Sequence, residues 1–81
     1  MKINKNILKS KRVLKGLSQP DMAKILTCSV PAYNQKENGK RAFSAIEIAK
    51  ISKVLDLSAE EIKDIFFTDE LNANSNFEVK K

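Results

Sequence analysis

The lysines and arginines of this sequence are concentrated in its first half. Residues 1–41 hold ten of the fifteen and only two acids, Asp21 and Glu37, so their formal charge is +8. Residues 42–81 hold five lysines and eight acids, which gives a charge of −3. This distribution predicts one face that attracts a polyanion and another face for protein contacts. On charge alone, three interpretations stay open: a nucleic acid, a membrane surface, or an ordinary solvated surface.

Side chains suited to catalysis or metal binding are scarce. The sequence has no histidine and one cysteine, Cys28, so it predicts neither an internal disulfide nor a zinc site. No pair of carboxylates is held in an obvious cleft. We therefore expect no enzymatic activity, no metal, no cofactor and no small-molecule ligand. A lone cysteine fits the reducing cytoplasm, and Cys28 is expected to be a small, half-buried apolar residue.

The composition predicts a single small globular domain. Hydrophobic residues make up 42% of the 81 residues, which suits a folded chain with one modest core. Only two glycines and two prolines occur, which favours helices over a turn-rich β fold. The apolar runs are too short to span a membrane, and no secretory signal is expected at the N-terminus.

Three predicted helix starts share one capping arrangement. In each, a serine hydroxyl accepts an amide of the first turn, and an acid three residues later accepts the amide of the serine. The pairs are Ser18 with Asp21, Ser44 with Glu47, and Ser58 with Glu61. Apolar residues at helical spacing follow each pair. We therefore expect helices at about 19–26, 45–55 and 59–67.

Glycines mark the ends of two further predicted helices. Gly16 follows a helical pattern over about 4–15, and Gly39 follows one over about 30–38. Each glycine can take the left-handed conformation that commonly ends a helix. No strand periodicity appears in the body of the sequence, so residues 1–67 are expected to form an all-α, compact five-helix bundle. Residues 68–81 are polar and acidic, and are expected to form a tail or a short docking segment.

The predicted helix at 30–38 starts unlike the three helices with capping boxes. Its cap, Ser29, is followed three residues later by Ala32, and no acid occurs between Val30 and Gln35. Acids normally stabilise a helix N-terminus. Their omission indicates that this end faces phosphates, although many helices simply lack a capping box.

Two of these helices flank a short turn between Gly16 and Arg41. One helix opens with Ser18 and Gln19, a three-residue turn follows, and the next helix ends in Glu-Asn-Gly, which is a helix-turn-helix arrangement. Over roughly residues 7–66 the sequence resembles the phage Cro and repressor proteins, the XRE-type helix-turn-helix family. The matching residues are Arg12, Gly16, Leu17, Ser18, Gln19, Ala23, Leu26, Ser29, Tyr33, Glu37, Asn38 and Gly39. The most specific part is GLSQ, followed at the right separation by KENGKR.

The resemblance implies a lambda-repressor-like fold, with the helix-turn-helix at helices 2 and 3, that binds double-stranded DNA. The residues facing the base edges would be Ser29, Val30, Pro31, Asn34 and Gln35. Asparagine and glutamine can bond adenine through a donor and an acceptor together. Phosphate contacts would come from Gln19, Lys36, Asn38, Gly39, Lys40 and Arg41. Arg12 and Glu37 would form a structural ion pair between the first helix and the end of the recognition helix.

The sequence departs from the family pattern at several positions. The turn has Thr27 and Cys28 where the family usually has Gly and Val, and a non-glycine residue in a left-handed conformation costs roughly 1 kcal/mol. Tyr33 replaces the usual aliphatic residue and is expected in the core. No arginine or lysine occurs among the base-facing residues. We therefore expect a site that leans towards A·T pairs and is read largely by van der Waals contact.

The function expected from these features is that of a transcription regulator, a phage or mobile-element repressor that binds a palindromic operator. A homodimer is expected, with half-sites about 34–36 Å apart, and the last helix and the tail are the candidates for dimer contacts. The alternative is a protein-interaction module, an antitoxin or a partner of another regulator, that works through the acidic second half. The first-helix lysines either contact flanking phosphates or only solvate the helix: Lys2, Lys5, Lys9 and Lys11.

Overall fold

A computed structural model describes residues 3–68 of the chain. Five helices follow one another in this range: α1 (Lys5–Leu14), α2 (Gln19–Leu26), α3 (Val30–Glu37), α4 (Ala45–Val54) and α5 (Ala59–Phe66). The described residues contain no strand, and none of their helices is long and apolar enough to cross a membrane. The predicted all-α bundle of five helices is confirmed. All of the predicted tail except Thr68 lies outside the described residues.

Side-chain caps begin all five helices. The three predicted capping boxes form, each with both of its hydrogen bonds, at Ser18, Ser44 and Ser58. Ser29 caps α3 by accepting the N–H of Ala32 at 3.1 Å, and the first turn of α3 holds no acid. The cap of α1 is Asn4, whose Oδ1 accepts the N–H of Ile7 at 3.2 Å, and the sequence pattern did not predict it.

Residues in the left-handed region follow four of the helices. Gly16 (φ 73°) follows α1 and Gly39 (φ 80°) follows α3, as predicted. Thr27 (φ 56°) ends α2, and Asp56 (φ 54°) follows α4. Thr27 therefore adopts the strained conformation that its place in the helix-turn-helix turn predicts.

One apolar core lies between the helices, and every helix contributes to it. Phe43, in the connection between α3 and α4, packs edge-on against Phe66 with ring centroids 5.5 Å apart, and its centroid lies 6.2 Å from that of Tyr33. α3 packs against α1 and α2, and this contact fixes which side of α3 remains open to solvent. The buried apolar residues are Leu8, Met22, Ala23, Leu26, Tyr33, Phe43, Ile51, Leu55, Ile65 and Phe66.

Candidate nucleic-acid interface

The outer face of α3 carries the predicted base-facing residues. All five of them are exposed: Ser29, Val30, Pro31, Asn34 and Gln35. Tyr33 and Glu37 lie on the opposite side of the helix and are buried. The positions i, i+1, i+4 and i+5 from Val30 share one side of an α-helix, so the structure brings these residues onto one accessible surface. Their contact with bases stays a prediction.

The start of α3 carries no acid that would repel an anion. Pro31 lies in the first turn, where its missing N–H removes no hydrogen bond from the helix. Ser29 satisfies the N–H of Ala32, and no acidic side chain offsets the positive end of the helix dipole. This end of α3 is therefore the only one among α2 to α5 whose first turn lacks an acid.

Arg12 of α1 and Glu37 at the end of α3 form a buried ion pair. The Arg12 Nε donates to Oε2 of Glu37 at 2.7 Å and Nη2 donates to Oε1 at 3.3 Å, and the two side chains are 8% and 4% exposed. The third guanidinium nitrogen, Nη1, donates to the backbone carbonyl of Leu17 at 2.8 Å. The pair thus joins α1 and the connection after it to the C-terminal end of α3.

Glu37 is also the acceptor for two further side chains. Its Oε1 accepts from Nε2 of Gln19 at 2.7 Å, and its Oε2 accepts from the hydroxyl of Tyr33 at 3.1 Å. Burial opposes ionisation of Glu37, but the hydrogen bonds from Arg12, Gln19 and Tyr33 outweigh it and hold the Glu37 pKa below its ordinary value. Burial, with the charge of Glu37, raises the pKa of Tyr33, so the tyrosine hydroxyl keeps its proton and donates.

Tyr33 is a core residue, as predicted, but its polar contact is not evident from the family pattern. The family usually has an aliphatic residue at this position, which offers no hydroxyl. A tyrosine four residues before a buried glutamate on the same helix is the signal that could have found the bond, since residues i and i+4 are neighbours on a helix.

Gln19 connects the buried ion pair to the outer face of α3. Its Nε2 donates to Glu37, and its Oε1 accepts from Nδ2 of Asn34 at 3.1 Å. The Gln19 side chain therefore bridges α2 and α3. Its predicted phosphate contact stays a prediction, for which the second hydrogen on Nε2 is the donor.

Lys36 lies beside α4, away from the base-facing residues. Its ammonium group donates to Oε2 of Glu47, and the two side chains are only 12% and 17% exposed. Burial opposes ionisation of Glu47, but the hydrogen bonds from Lys36 and from the Ser44 N–H lower the Glu47 pKa. The predicted phosphate contact of Lys36 requires this ion pair to open, and it stays a prediction.

The loop after α3 holds the remaining predicted phosphate contacts. All four residues are exposed: Asn38, Gly39, Lys40 and Arg41. The N–H groups of Gly39 and Lys40 donate to carbonyls of the last turn of α3 at 3.1 and 2.8 Å. The side-chain nitrogen of Asn38 donates to the backbone carbonyl of Asn34 at 2.9 Å. A Gly39 contact would compete with an existing bond, so the side chains of Lys40 and Arg41 would be the principal donors in the phosphate contacts, which stay predictions.

Two lysines of α1 adjoin this loop. Lys5 and Lys9 line a cleft together with Asn38, which places their charges beside the predicted phosphate contacts. Lys11 instead pairs with an acid of α5. Lys2 lies outside the described residues. Both interpretations of these lysines, phosphate contact and solvation of the helix, stay predictions.

Cys28 is half-buried and packs against the core, as predicted. Within residues 3–68, no group of three or more histidine, cysteine, aspartate or glutamate residues could hold a metal ion. No buried side-chain nitrogen or oxygen in this range is left without a hydrogen-bond partner. The buried polar side chains beneath the outer face of α3 are therefore satisfied by their neighbours within the described residues.

The family model described as helix-turn-helix matches residues 8–62, which span α2, α3 and α4, most of α1 and the first half of α5. The chain therefore belongs to this XRE-type helix-turn-helix family, and the predicted resemblance to Cro and repressor proteins is confirmed at the level of the family. The family consists of DNA-binding transcription regulators and is generally not enzymatic. No curated protein and no solved structure matches the chain.

Proposed function

We propose that this protein is a phage or mobile-element repressor that binds a palindromic operator as a homodimer, with α3 in the major groove. The observation that carries the proposal is the outer face of α3. It is exposed, free of acids in its first turn, and held from behind by the buried contacts of Tyr33 and Glu37. A rigid, acid-free helix face beside basic residues fits the groove of duplex DNA.

Base readout would come from two amides and two apolar side chains. Asn34 and Gln35 can each offer a donor and an acceptor to adenine, and Val30 and Pro31 can contact a thymine methyl group. Arginine and lysine, the usual partners of guanine, do not occur among these residues. An operator rich in A·T pairs at the contacted positions is the expected target.

Phosphate contacts would flank this face on two sides. Lys40 and Arg41 follow the end of α3, and Lys5 and Lys9 adjoin the same loop. Gln19, at the start of α2, would contact the backbone beside the other end of the recognition helix. These contacts position α3 in the groove but carry no sequence information of their own.

A homodimer follows from the small number of phosphates that one such module can neutralise. Two copies double the contacts and the salt dependence of binding. Their recognition helices would then enter successive turns of the major groove, with half-sites about 34–36 Å apart.

Selection of binding sites from random duplex DNA tests the proposal. The wild-type protein should enrich a palindromic sequence, and Gln35→Ala should cost roughly 1–3 kcal/mol on that sequence and relax the preference at one base position. Lys53→Ala, at an exposed position of α4, is the control and should leave the enriched sequence unchanged.

Two results would count against the proposal. Failure of the folded wild-type protein to enrich any sequence would favour the protein-interaction module. Equal weakening of all sequences by Gln35→Ala would make Gln35 a phosphate contact and overturn its assignment to the bases.

A further inference from the structure

The exposed side of α1 changes from basic to apolar along the helix. Lys5, Lys9 and Val13 follow one another at intervals of four residues, so they share one side of α1. Val13 is 58% exposed, and Leu14 beside it, at 78%, is the most exposed large apolar side chain of residues 3–68. We call these four residues the α1 strip. Its apolar end is a pair of adjacent side chains that the described residues leave uncovered.

Leu14 also forms one side of an open cleft at the end of α1. The cleft has a volume of about 290 Å³, and the buried Leu55 belongs to its lining. The other lining residues are charged, two of each sign: Lys11, Lys15, Asp56 and Glu61. The apolar end of the α1 strip thus adjoins a cleft that suits a large apolar side chain with charged neighbours.

The direction of α5 brings the next part of the chain to the basic end of the α1 strip. Glu61, near the start of α5, pairs with Lys11, and the carbonyl of Ile65, near its end, accepts the N–H of Asn4 at 2.8 Å. α5 is therefore antiparallel to α1, and the chain continues from a point beside the beginning of α1. From there Leu14 is about 15 Å away along the helix, which roughly five extended residues span.

The sequence after α5 presents acids first and large apolar residues later. Asp69 and Glu70 come directly after the described residues, and Phe77 and Val79 follow with Glu78 between them. This order is complementary to that of the α1 strip, where lysines precede the apolar pair. A segment long enough to include Phe77 extends up to about 30 Å, so its length allows both contacts at once.

We propose that residues 69–79 bind along the α1 strip of their own molecule, with the two leading acids at the lysines and with Phe77 and Val79 against the apolar end. A segment tethered beside its site has an effective concentration in the millimolar range, which favours the same molecule over a second copy. The inference goes beyond the proposed function, since the contact requires no DNA. Lys5 and Lys9 adjoin the predicted phosphate contacts, so a DNA backbone would compete with the segment for them.

A spin label near the end of the full chain tests the contact by NMR. The label is attached to Lys81→Cys in a Cys28→Ala background, which serves as the reference for every sample. At millimolar effective concentration, a contact with a Kd of about 1 mM is roughly half occupied. The methyl signals of Val13 and Leu14 should therefore be broadened and lose most of their intensity, and reduction of the label should restore it.

Two substitutions and a matched control show which side chains make the contact. Leu14→Ser and Phe77→Ser should each restore the intensity of the Val13 methyl signals. Ile46→Ser is the control, because Ile46 is an equally accessible apolar side chain, 70% exposed, on α4, and it should leave the broadening at Val13 unchanged. The exposure of Leu14 makes its substitution compatible with the fold, which the unchanged signals of the core methyl groups would verify.

A mixed sample distinguishes the same molecule from a second copy. Isotope-labelled protein without the spin label is mixed with spin-labelled protein of natural isotope abundance, and no broadening of Val13 or Leu14 is expected. Broadening of equal strength in the mixed sample would overturn the proposal in favour of a contact between two copies. Absence of broadening in the singly prepared protein, or broadening that survives both Leu14→Ser and Phe77→Ser, would overturn it outright. None of these results depends on whether the protein enriches a DNA sequence.

Discussion

Glu37 accepts four hydrogen bonds, which come from side chains of α1, α2 and α3. A buried charge is tolerated when it is paired and hydrogen-bonded, and the removal of one partner leaves the other uncompensated. Arg12 matches the negative charge, and Gln19 and Tyr33 occupy the remaining acceptor positions. The four side chains therefore make the position of α3 depend on both helices that precede it.

Replacement of Glu37 by glutamine should lower the stability of the protein by an amount that depends on pH. Glu37→Gln should lower the free energy of unfolding near pH 7 by about 3 kcal/mol, because Arg12 is left buried without its counter-charge. The pKa of Glu37 in the folded protein lies below its ordinary value of 4.5. Its contribution is thus complete above that value and is lost as the pH falls through the folded pKa. Urea unfolding at a series of pH values should show the gap between wild type and variant narrowing below about pH 4.5.

The control for this experiment is Glu61→Gln. Glu61 pairs with Lys11, and the hydrogen bond from Lys11 also lowers the Glu61 pKa, but this pair is partly exposed. Exposed pairs contribute little because water and salt screen them. For Glu61→Gln, a much smaller difference from wild type in the free energy of unfolding is expected at every pH. A difference for Glu37→Gln that stays constant from neutral to acidic pH would contradict the role assigned to the Glu37 charge.

The turn between α2 and α3 sets the relation of the two helices that define the family. Thr27 occupies its left-handed position with φ 56° and ψ 48°. An L-residue with a branched side chain is disfavoured there, and the penalty is roughly 1–2 kcal/mol. Since the Thr27 N–H still donates to carbonyls of α2, the turn keeps the hydrogen bonds of a normal helix end despite this strain.

Substitution of Thr27 by glycine should therefore stabilise the protein. Glycine removes the left-handed penalty. Its greater freedom in the unfolded chain opposes folding, however, and offsets about 0.5–1 kcal/mol of that gain. A net gain of roughly 0.5–1 kcal/mol in the free energy of unfolding is expected, with the affinity for the selected DNA unchanged. Asp56→Gly is the matched control at φ 54°, and its gain should be smaller because aspartate enters this region more readily than threonine. Equal gains in the free energy of unfolding at both sites would contradict the greater strain assigned to Thr27.

The elements were predictable from the sequence because their signals are local. Capping boxes and helix-ending glycines act within four residues, and they placed each helix end within one residue of its observed position. The cap at Asn4 was not predicted because no acid follows it three residues later, so the capping-box pattern is absent. The pair of Lys36 with Glu47 and the bridge through Gln19 join different helices. Such contacts depend on how the helices pack, and one sequence does not record that packing.

Packing of the helices leaves fewer of the basic side chains exposed and unpaired than the sequence alone suggests. The eight excess positive charges of residues 1–41 do not act as a uniform coat. Arg12 is buried, Lys11 and Lys36 pair with acids of later helices, and Lys40 and Arg41 stay exposed beside α3. The positive charge that remains open is thus smaller than the sequence indicates, and part of it lies next to the proposed DNA-binding face.

The salt dependence of DNA binding measures how many of these charges reach phosphates. Each neutralised phosphate adds about 0.9 to the slope of log affinity against log salt. Lys40→Ala should therefore lower that slope by about one unit per protomer and weaken all duplexes alike. Lys36→Met should leave the slope unchanged, because its ammonium group is held by Glu47, and should instead lower the free energy of unfolding by about 1 kcal/mol. Fluorescence anisotropy on the selected operator across a salt series separates the two variants. If the slope of log affinity against log salt flattens equally in both, the Lys36 ion pair opens on DNA and Lys36 contacts a phosphate.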